Sequence, residues 1–427
     1  MKFTCVGDCA IQKGLPKFYD GFDEVKDYIT QGDARFFNLE TTICENCFAN
    51  QYSGGTWLRT SKNIANDMLC YGFNLTTFAN NHCVDFSYDG LEQTLNALDE
   101  FGIKHSGIGR NLHEAARPTY LDLPSGRVAL ISCSTSFSKG AMAGMQSRLL
   151  PGRPGINGVN IYDTVVLDKN DAYKMKEIAE KTGINAQNEK SRKSGYLAEL
   201  NDDEIEFGDI KIKIGDYCGI ESTADESDLR RIEKSIEDAK FQADFVLVSI
   251  HSHDISGIDN TVVPKFLEDM ARRFIDCGAD CIIGHGPHEI RPIEIYKNRP
   301  IFYSLGDFVL HLENCDIIPE DFYRKFGMTS DNSVYEVFKE RTQDFTIGLQ
   351  REKAMMESVI PYFEIENDKL KFLKLMPVEL GYGMKHSSIG WPRKMKDDSL
   401  LERLKAMSLQ YGVDIDVKDG MGYVKVK

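Results

Sequence analysis

The sequence predicts an α/β protein, and three observations support that prediction. Over residues 1–135, apolar runs of strand length alternate with stretches in which apolar residues recur at helical spacing. Polar residues that can bind metals directly follow several of those runs, as they do at the carboxyl ends of strands in α/β sheets. The chain has 427 residues, of which 42% are hydrophobic and 27% charged, so it can bury a substantial core as a globular protein.

The elements of this first part follow one another in a βαβ pattern. Ser61 has the side chain and the position of a helix N-cap, and apolar residues recur at helical spacing from Leu91 to Phe101. The predicted strands are 3–8, 35–39, 74–78 and 127–133, and the predicted helices are 21–31, 61–71 and 90–101.

Residues 138–217 interrupt the alternation. Turn-rich segments at 140–144 and 151–155 precede a predicted polar helix over 170–182 and a Lys-, Asn- and Ser-rich stretch over 185–194. We interpret the region as an insertion. A long insertion in a compact domain is often a lid over a site, and a surface elaboration fits the composition equally well.

The alternation resumes after the insertion and gives way to a polar, helical region over 311–357. We therefore predict one α/β domain over residues 1–310 and a C-terminal extension over 311–427 that packs on the same domain. The predicted strands are 245–250, 281–283, 291–296, 300–305, 359–365, 370–378 and 422–426, and the predicted helices are 225–240, 264–277 and 400–410.

Charge and cysteine content narrow the class of protein. The net charge is −15 and the pI about 5.2, which argues against nucleic acid and anionic membranes as partners, although a metal pocket can still attract an anionic substrate. The amino terminus enters a strand without a signal peptide, and no run reaches the ~20 apolar residues of a membrane helix. The eleven scattered cysteines, including the lone pair Cys44 and Cys47, are interpreted as structural thiols. These features predict a cytoplasmic protein without a membrane anchor.

Five of the nine histidines lie in three short patches, each directly after a predicted buried strand. They are His82, His251, His253, His285 and His288. Asp8 and Glu40 follow two further strands. Carboxylates, an amide and imidazoles on one rim form the donor set of a two-metal hydrolytic site.

Each candidate has a chemical reason for its role. Glu40 is the candidate bridge between two ions, and Asn81 offers a neutral amide oxygen. His82 would lie beside the metal and protonate a leaving group as a general acid. His251 is nearer its strand than His253 and is the preferred ligand of the two. The candidate metal ligands are Asp8, Glu40, Asn81, His251, His285 and His288.

Further residues are candidates for supporting the ligands or binding substrate, namely His253, Asp254, Asp307, Asn38 and Arg59. Asp307 follows Gly306 at a predicted strand end, where it either orders a ligand histidine or caps a turn. Four arginines near these segments either bind carboxylates or are solvated surface charges: Arg35, Arg59, Arg153 and Arg291. No P-loop motif and no Gly-x-Ser-x-Gly elbow occurs.

Motifs along nearly the whole chain resemble a known family. They are Val6–Asp8, Phe37–Glu40, Ala79–His82 with Asp85, Gly90–Leu91, Pro154–Asn157, His251, Gly278–Asp280, Gly284–His288, Tyr303–Gly306, Phe308 and Gly390–Pro392. In this order they resemble the poly-γ-glutamate capsule-synthesis proteins of CapA type, a branch of the calcineurin-like metallophosphatase fold.

The resemblance implies a two-sheet β sandwich flanked by helices, in four layers, with metals at the strand ends. It implies the same six ligands and the same acid, His82. Three positions depart from the family. Ala10 stands where the fold commonly has a ligand histidine, Ser252-His253-Asp254 replaces a typical Trp-Gly-Glu, and Gly286 replaces the middle histidine of His-His-Pro-His.

Two functional hypotheses follow. In the first, the chain is a soluble hydrolase that acts on an anionic amide or (phospho)ester, γ-glutamyl or phosphate-containing, by metal-activated water. Two divalent ions are expected, and Mn, Fe, Zn and Mg all fit mixed oxygen and nitrogen ligands. In the second, the chain is a non-catalytic polyanion-binding or assembly component of capsule synthesis with a vestigial metal site, which Ala10 favours.

Overall fold

The structure is a computed structural model that describes residues 1–367 and 369–426. The chain forms two compact units. One comprises Met1–Val159 and Leu229–Lys427, and the other comprises Asn160–Asp228. Asp368 and Lys427, which fall in the predicted C-terminal extension, lie outside the described residues.

Strands occur along the whole described chain. The strands before residue 160 are β1 (Lys2–Ala10), β2 (Ala34–Leu39), β3 (Thr42–Ile43), β4 (Arg59–Thr60), β5 (Leu75–Thr77), β6 (Lys104–Ser106), β7 (Ile108–Gly109), β8 (Thr119–Leu123), β9 (Gly126–Ser134) and β10 (Gly155–Ile156). The next are β11 (Ile161–Leu167), β12 (Glu204–Phe207), β13 (Ile210–Ile214), β14 (Gly219–Ala224), β15 (Phe245–His251), β16 (Cys281–His285), β17 (Ile293–Tyr296) and β18 (Arg299–Phe302). The last are β19 (Asp307–Leu310), β20 (Glu357–Glu366), β21 (Lys369–Glu379), β22 (Arg393–Lys394), β23 (Ile415–Lys418) and β24 (Met421–Val424).

Helices separate most of the longer strands. They are α1 (Phe22–Ile29), α2 (Lys62–Asn66), α3 (Ser87–Phe101), α4 (Leu112–Ala116), α5 (Lys169–Thr182), α6 (Ala186–Lys193), α7 (Glu226–Gln242), α8 (Lys265–Cys277), α9 (Glu320–Lys325), α10 (Val334–Arg341) and α11 (Ser399–Ser408). Short 3₁₀ turns span Asp67–Tyr71, Leu349–Arg351, Lys353–Met356 and Leu409–Tyr411. Ser61 caps α2 as predicted, since its side chain accepts a hydrogen bond from the Ile64 amide.

The first unit is built on two large sheets. The first sheet has the order β23-β24-β21-β20-β1-β2-β5-β6, with β19 also paired to β1 and β22 to β21. The second has the order β17-β18-β16-β15-β9-β8. Strands β1, β2, β5 and β6 are parallel in the first sheet, and β9, β15, β16 and β18 are parallel in the second.

The two sheets pack face to face on a shared core. Phe3, Phe36 and Leu75 of the first sheet belong to the same buried cluster as Leu247 and Ile283 of the second. On the outer faces, the apolar side of α3 is buried in the core that covers the first sheet, and α8 packs against β16. The predicted α/β fold, a two-sheet sandwich flanked by helices, is therefore confirmed.

The C-terminal part of the chain completes the first sheet. Strand β20 pairs antiparallel with the start of β1, and β21 pairs with β20 along its length. Strand β19 pairs parallel with the end of β1, so that Asp8 lies opposite Asp307. The predicted strand over 300–305 ends earlier, at Phe302, and Asp307 begins a new strand instead of following one.

The second unit contains more regular structure than the sequence indicated. Strands β12, β13, β11 and β14 form a sheet in that order, and α5 buries Ala172 against Ile205 and Ile212. These strands went unrecognised because most of their residues are exposed or half-buried, which leaves a weak apolar alternation. The unit overlaps the predicted insertion, 138–217, and ends later.

All eleven cysteines are free thiols, and most are buried. Cys70, on the 3₁₀ turn after α2, and Cys218 are exposed. Within the described part of the chain, no helix combines the length and the hydrophobicity that crossing a membrane requires.

Candidate metal centre

Five strands from the two sheets bring the candidate residues to one rim. Asp8 lies near the end of β1, Glu40 follows β2, Asn81 and His82 follow β5, His251 ends β15 and His285 ends β16. Because these strands are parallel within each sheet, their carboxyl ends point to the same edge of the sandwich.

Asp8, His251 and His285 form the first group that could hold a metal ion. Asp8 Oδ1 lies 3.6 Å from His251 Nδ1 and 3.3 Å from His285 Nδ1, and the two Nδ1 atoms are 2.9 Å apart. The Ser249 hydroxyl lies 2.6 Å from His285 Nε2, so Nδ1 of the same ring faces the Asp8 carboxylate. A carboxylate oxygen and two imidazole nitrogens converging in this way suit a divalent transition metal.

Two neighbours fix the Asp8 carboxylate in place. Asn38 Nδ2 donates to Oδ1 at 2.5 Å, and the Gly286 amide donates to Oδ2 at 2.7 Å. Gly286 has a φ of 119°, and a Cβ there would lie 2.8 Å from the Ser252 carbonyl oxygen. Position 286 therefore requires glycine.

Glu40 is the centre of the second group, with His251 and His253. Its carboxylate is fully buried, and neither oxygen has a hydrogen-bond partner among the described residues. Glu40 Oε1 lies 3.7 Å from His251 Nε2 and 3.7 Å from His253 Nε2. A buried carboxylate without donors is costly, and a cation between it and these imidazoles would remove that cost. The residues present therefore fit a metal ion.

His288 and Asp307 form the third group, together with Asp8 and Glu40. His288 Nδ1 lies 2.9 Å from Asp307 Oδ1, while Asp307 Oδ2 has no hydrogen-bond partner among the described residues. His288 adopts a φ of 61°, a backbone conformation uncommon outside glycine. Such strain persists where the surrounding structure enforces it, often at functional sites.

Burial and charge shift the ionisation of this cluster. Burial raises the pKa of Glu40 well above its usual range, and the nearby Asp8 charge raises it further. Burial opposes the ionisation of Asp8, but hydrogen bonds and charge from His251 and His285 hold its pKa well below its usual range. Burial lowers the pKa of His251 to about 4 and raises that of Asp307 to about 6.

His288 differs from the other histidines of the cluster. Burial alone would lower its pKa, but the charges of Asp307 and Glu40 and the hydrogen bond to Asp307 raise it to about 10. His253 lacks such a bond, and burial lowers its pKa well below the usual range. The cluster therefore mixes neutral and charged imidazoles around three carboxylates.

His82 is oriented by a buried carboxylate. Its Nδ1 lies 2.7 Å from Asp85 Oδ2, and its Nε2 lies 4.0 Å from Glu40 Oε1. Asp85 is itself fixed by backbone amides, accepting from Leu58 at 2.8 Å and from Gly54 at 3.3 Å. The imidazole therefore presents Nε2 to the carboxylate cluster.

A cavity of about 300 Å³ opens beside the cluster. Side chains from all three histidine patches line it, as does one arginine from α10. The lining residues are Gly54, Gly55, Thr56, Asn81, His82, His253, Asn260, Pro287, His288, Leu312, Arg341, Leu349 and Met355. The centre is therefore reachable by a small molecule or by the end of a chain.

The structure brings the six candidate ligands and His82 together, and it adds two residues that the sequence placed outside the ligand set. His253 lies as close to Glu40 as His251 does, and Asp307 joins a candidate metal group. Asn81 Oδ1 lies 2.8 Å from His251 Nε2, so the amide is in contact with a candidate ligand. Asn38 contacts both Asp8 and His251.

Asp254 and the candidate arginines have other partners. Asp254 Oδ2 accepts from the hydroxyls of Thr135, Ser136 and Ser252, which anchors a loop. Arg59 lies 3.6 Å from Asp316, and Arg291 donates to the Asn260 and Asp254 carbonyls. Arg35 donates to the carbonyls of Gly32 and Gly72, and Arg153 to that of Met142. Among the described residues, none of these four arginines lines the cavity beside the cluster.

Sequence reasoning did not assign roles to Asp85 or Ser249. Asp85 lies three residues after His82 in a short turn, and that spacing was the available signal. Ser249 is two residues before His251 on the same face of β15, which the strand period alone could have indicated.

Comparison with known proteins gives one family. Residues 2–311 match the family described as "Bacterial capsule synthesis protein PGA_cap". The chain is 30% identical to "Uncharacterized protein y4uA" of Sinorhizobium fredii, over 99% of this chain and 92% of that protein. It is 25% identical to "Capsule biosynthesis protein CapA" of Bacillus anthracis, over 56% of this chain and 40% of that protein. It is 25% identical to "PGA biosynthesis protein CapA" of Bacillus subtilis, over 71% of this chain and 62% of that protein.

Proposed function

This chain belongs to the bacterial capsule synthesis protein PGA_cap family, and from that premise we propose that it is a metal-dependent hydrolase of an anionic amide or (phospho)ester. The proposal rests on one observation above the others. The Glu40 carboxylate is fully buried without a hydrogen-bond donor, and three imidazoles face it at 3.7 to 4.0 Å.

The ligands follow from the three groups of donors. Asp8, Glu40, Asn81, His251, His285 and His288 would hold two divalent ions, and all of these except Asn81 belong to the three groups. Bound ions of this kind lower the pKa of water and polarise a carbonyl or phosphoryl oxygen. Asn38 and Gly286 support this role by holding Asp8, and Asp307 does so by holding His288.

His82 would supply the proton to the leaving group. Asp85 accepts from Nδ1, so Nε2 is the atom that faces the cavity side of the cluster. A buried carboxylate behind an imidazole fixes the ring orientation and the tautomer. A general acid positioned in this way contributes about 10²- to 10⁴-fold to a rate.

The substrate class follows from charge and from the relatives. The names of two relatives refer to capsule and PGA biosynthesis. We propose that the substrate is a γ-glutamyl compound or a phosphate-containing ester, and that the protein acts in capsule-related polymer metabolism. The cavity volume of about 300 Å³ favours a small molecule or a chain end over an internal polymer segment.

The test is hydrolysis by the metal-loaded, full-length protein. Poly-γ-glutamate, γ-glutamyl dipeptides and aryl phosphates would each be incubated with the protein reconstituted with Mn²⁺, Fe²⁺, Zn²⁺ or Mg²⁺. We expect turnover of at least one substrate, with a loss of about 10²- to 10⁴-fold in His82→Gln. His113→Gln is the matched control, because His113 is exposed on α4 and has no role in the site.

The opposite outcome would favour the second function. If no substrate were hydrolysed, or if His82→Gln and His113→Gln turned over equally well, the catalytic proposal would fail. Metal-independent binding of poly-γ-glutamate would then support a polyanion-binding role in capsule assembly.

A further inference from the structure

An arginine that comes from outside the family match lines the cavity beside the metal centre. Arg341 is the last residue of α10, and the family match ends at residue 311. Among the described residues that line the cavity, Arg341 is the one Lys, Arg, Asp or Glu side chain. The other lining residues are histidines, asparagines, glycines, apolar residues and Thr56.

The guanidinium is held in a defined orientation. One nitrogen, Nη1, donates to the Thr56 hydroxyl, and Thr56 is buried. The guanidinium carbon lies 5.6 Å from the centroid of the Phe322 ring and 5.8 Å from that of Phe338. Aromatic rings hold a guanidinium by cation–π attraction without using its N–H donors.

Arg341 has no ionic partner of its own. Within the described part of the chain, no carboxylate lies at ion-pair distance from it, and its guanidinium donates one hydrogen bond, to Thr56. Glu313, whose charge acts on Arg341, is bound by Arg351 at 2.8 Å. A partly buried cation without a counter-ion is costly, so its retention beside a cavity indicates an anionic ligand.

We infer that Arg341 binds an oxyanion of the substrate, a carboxylate or a phosphate, while the scissile bond lies at the cluster of His82, His253 and His288. The position of the scissile bond rests on the proposed function. Anion binding by Arg341 does not depend on turnover. A guanidinium with free N–H groups matches either oxyanion with two parallel hydrogen bonds.

The consequence is a division of roles along the chain. Because Arg341 lies beyond the matched residues 2–311, the family motifs would supply the metal centre and the C-terminal extension would select the substrate. The extension in this account is a part of the site and not a separate appendage.

The test is equilibrium binding of two probe anions to the full-length protein after treatment with chelator. Glutarate represents the carboxylate source and inorganic phosphate represents the phosphate source. Calorimetric titration of the metal-free protein separates Arg341 from any anion bound through a metal. We expect Arg341→Gln to weaken at least one probe by about 10- to 100-fold. Arg341→Lys keeps the charge and loses the planar fork, so its binding should be intermediate.

Arg324→Gln is the matched control, because Arg324 is exposed on neighbouring α9 and lies 3.6 Å from Glu320. If Arg341→Gln binds only glutarate more weakly than the wild type does, Arg341 belongs to a carboxylate site. If only phosphate binding is weakened, it belongs to a phosphate site, and if both are weakened, the site binds either oxyanion. The inference is overturned if the wild type binds neither probe, or if Arg341→Gln binds both as tightly as Arg324→Gln does. If anion binding depends on Arg341 but the protein hydrolyses no substrate, this inference stands and the proposed hydrolysis fails.

Discussion

The Nδ1 atom of His82 lies 2.7 Å from Oδ2 of Asp85, and both side chains are buried. Two backbone amides complete the environment of the carboxylate. The pair is local in sequence, three residues apart, yet it presents His82 Nε2 to Glu40, which follows a different strand. A short turn therefore places an oriented imidazole beside carboxylates that strands of the first sheet bring together.

Asp85→Asn tests whether the carboxylate positions His82. We expect kcat to fall by about 10- to 100-fold, because the ring loses its orienting acceptor while remaining in place. KM and metal content should stay near the wild-type values, since Asp85 belongs to none of the candidate metal groups. Steady-state kinetics with elemental analysis checks this. Loss of metal together with activity would show a structural role instead.

Gly286→Ala tests the steric requirement beside Asp8. The new Cβ would meet the Ser252 backbone at 2.8 Å, and the amide that donates to Asp8 would shift. We expect the free energy of unfolding to fall by more than about 2 kcal/mol, and metal content to fall as well. Urea unfolding and elemental analysis measure the two effects.

Gly257→Ala is the control for that substitution. Gly257 also has a positive φ, 75°, but a Cβ there meets nothing within 4 Å. This substitution should lower the free energy of unfolding by about 1 kcal/mol, from backbone strain alone, and leave metal content unchanged. Equal effects of the two substitutions would refute a special requirement at position 286.

The pH dependence of the metal-free protein tests the environment of Glu40. Its pKa is raised in the folded state, so the folded chain keeps a proton that the unfolded chain loses above its ordinary pKa of about 4.3. The contribution of Glu40 to the free energy of unfolding is fully present below about pH 4.3. It declines by about 1.4 kcal/mol per pH unit as the pH rises toward the pKa of the folded state. Glu40→Gln should remove this contribution.

The measurement is urea unfolding of chelator-treated protein at about pH 5 and about pH 8, within the window that this shift opens. Between these two pH values, the free energy of unfolding should fall more in the wild type than in Glu40→Gln. Parallel losses in both proteins would mean that Glu40 ionises as it does in the unfolded chain.

Proton release on metal uptake tests the charge state of the same cluster. Near pH 7, His288 holds a proton in the metal-free protein, since its pKa is about 10, and the raised pKa of Glu40 favours its protonated form. Ligands must lose these protons to bind a metal. Titration calorimetry in two buffers of different ionisation enthalpy should detect about one proton or more released per chain. Identical heats in both buffers would contradict the account.

Much of the fold was predictable because its long strands are buried on both faces. The runs at β1, β2, β9 and β15 are mostly apolar and almost entirely buried, and a parallel sheet inside a sandwich requires that pattern. The sheet of the second unit was missed because its strands are short and half-exposed. The start of β19 was missed because four residues are too few for a periodic signal.

The location of the site was also predictable, because strand ends in parallel sheets converge. The contacts of individual residues were not. His253 points toward Glu40, and Asp254, one residue later, turns to three hydroxyls of neighbouring loops. Arg341 could not be connected with the site at all, since only the folded chain brings α10 to the cavity that the histidine patches line.

The central claim is that Glu40 and its neighbours hold metal, and metal content per chain tests it most directly. Elemental analysis would be made on full-length protein purified without added metal or chelator. Glu40→Gln would be compared with Glu366→Gln, in which an exposed carboxylate is changed. The account predicts about two ions per chain in the wild type and in Glu366→Gln, and their loss in Glu40→Gln. One ion or none in the wild type, even after reconstitution, would contradict it.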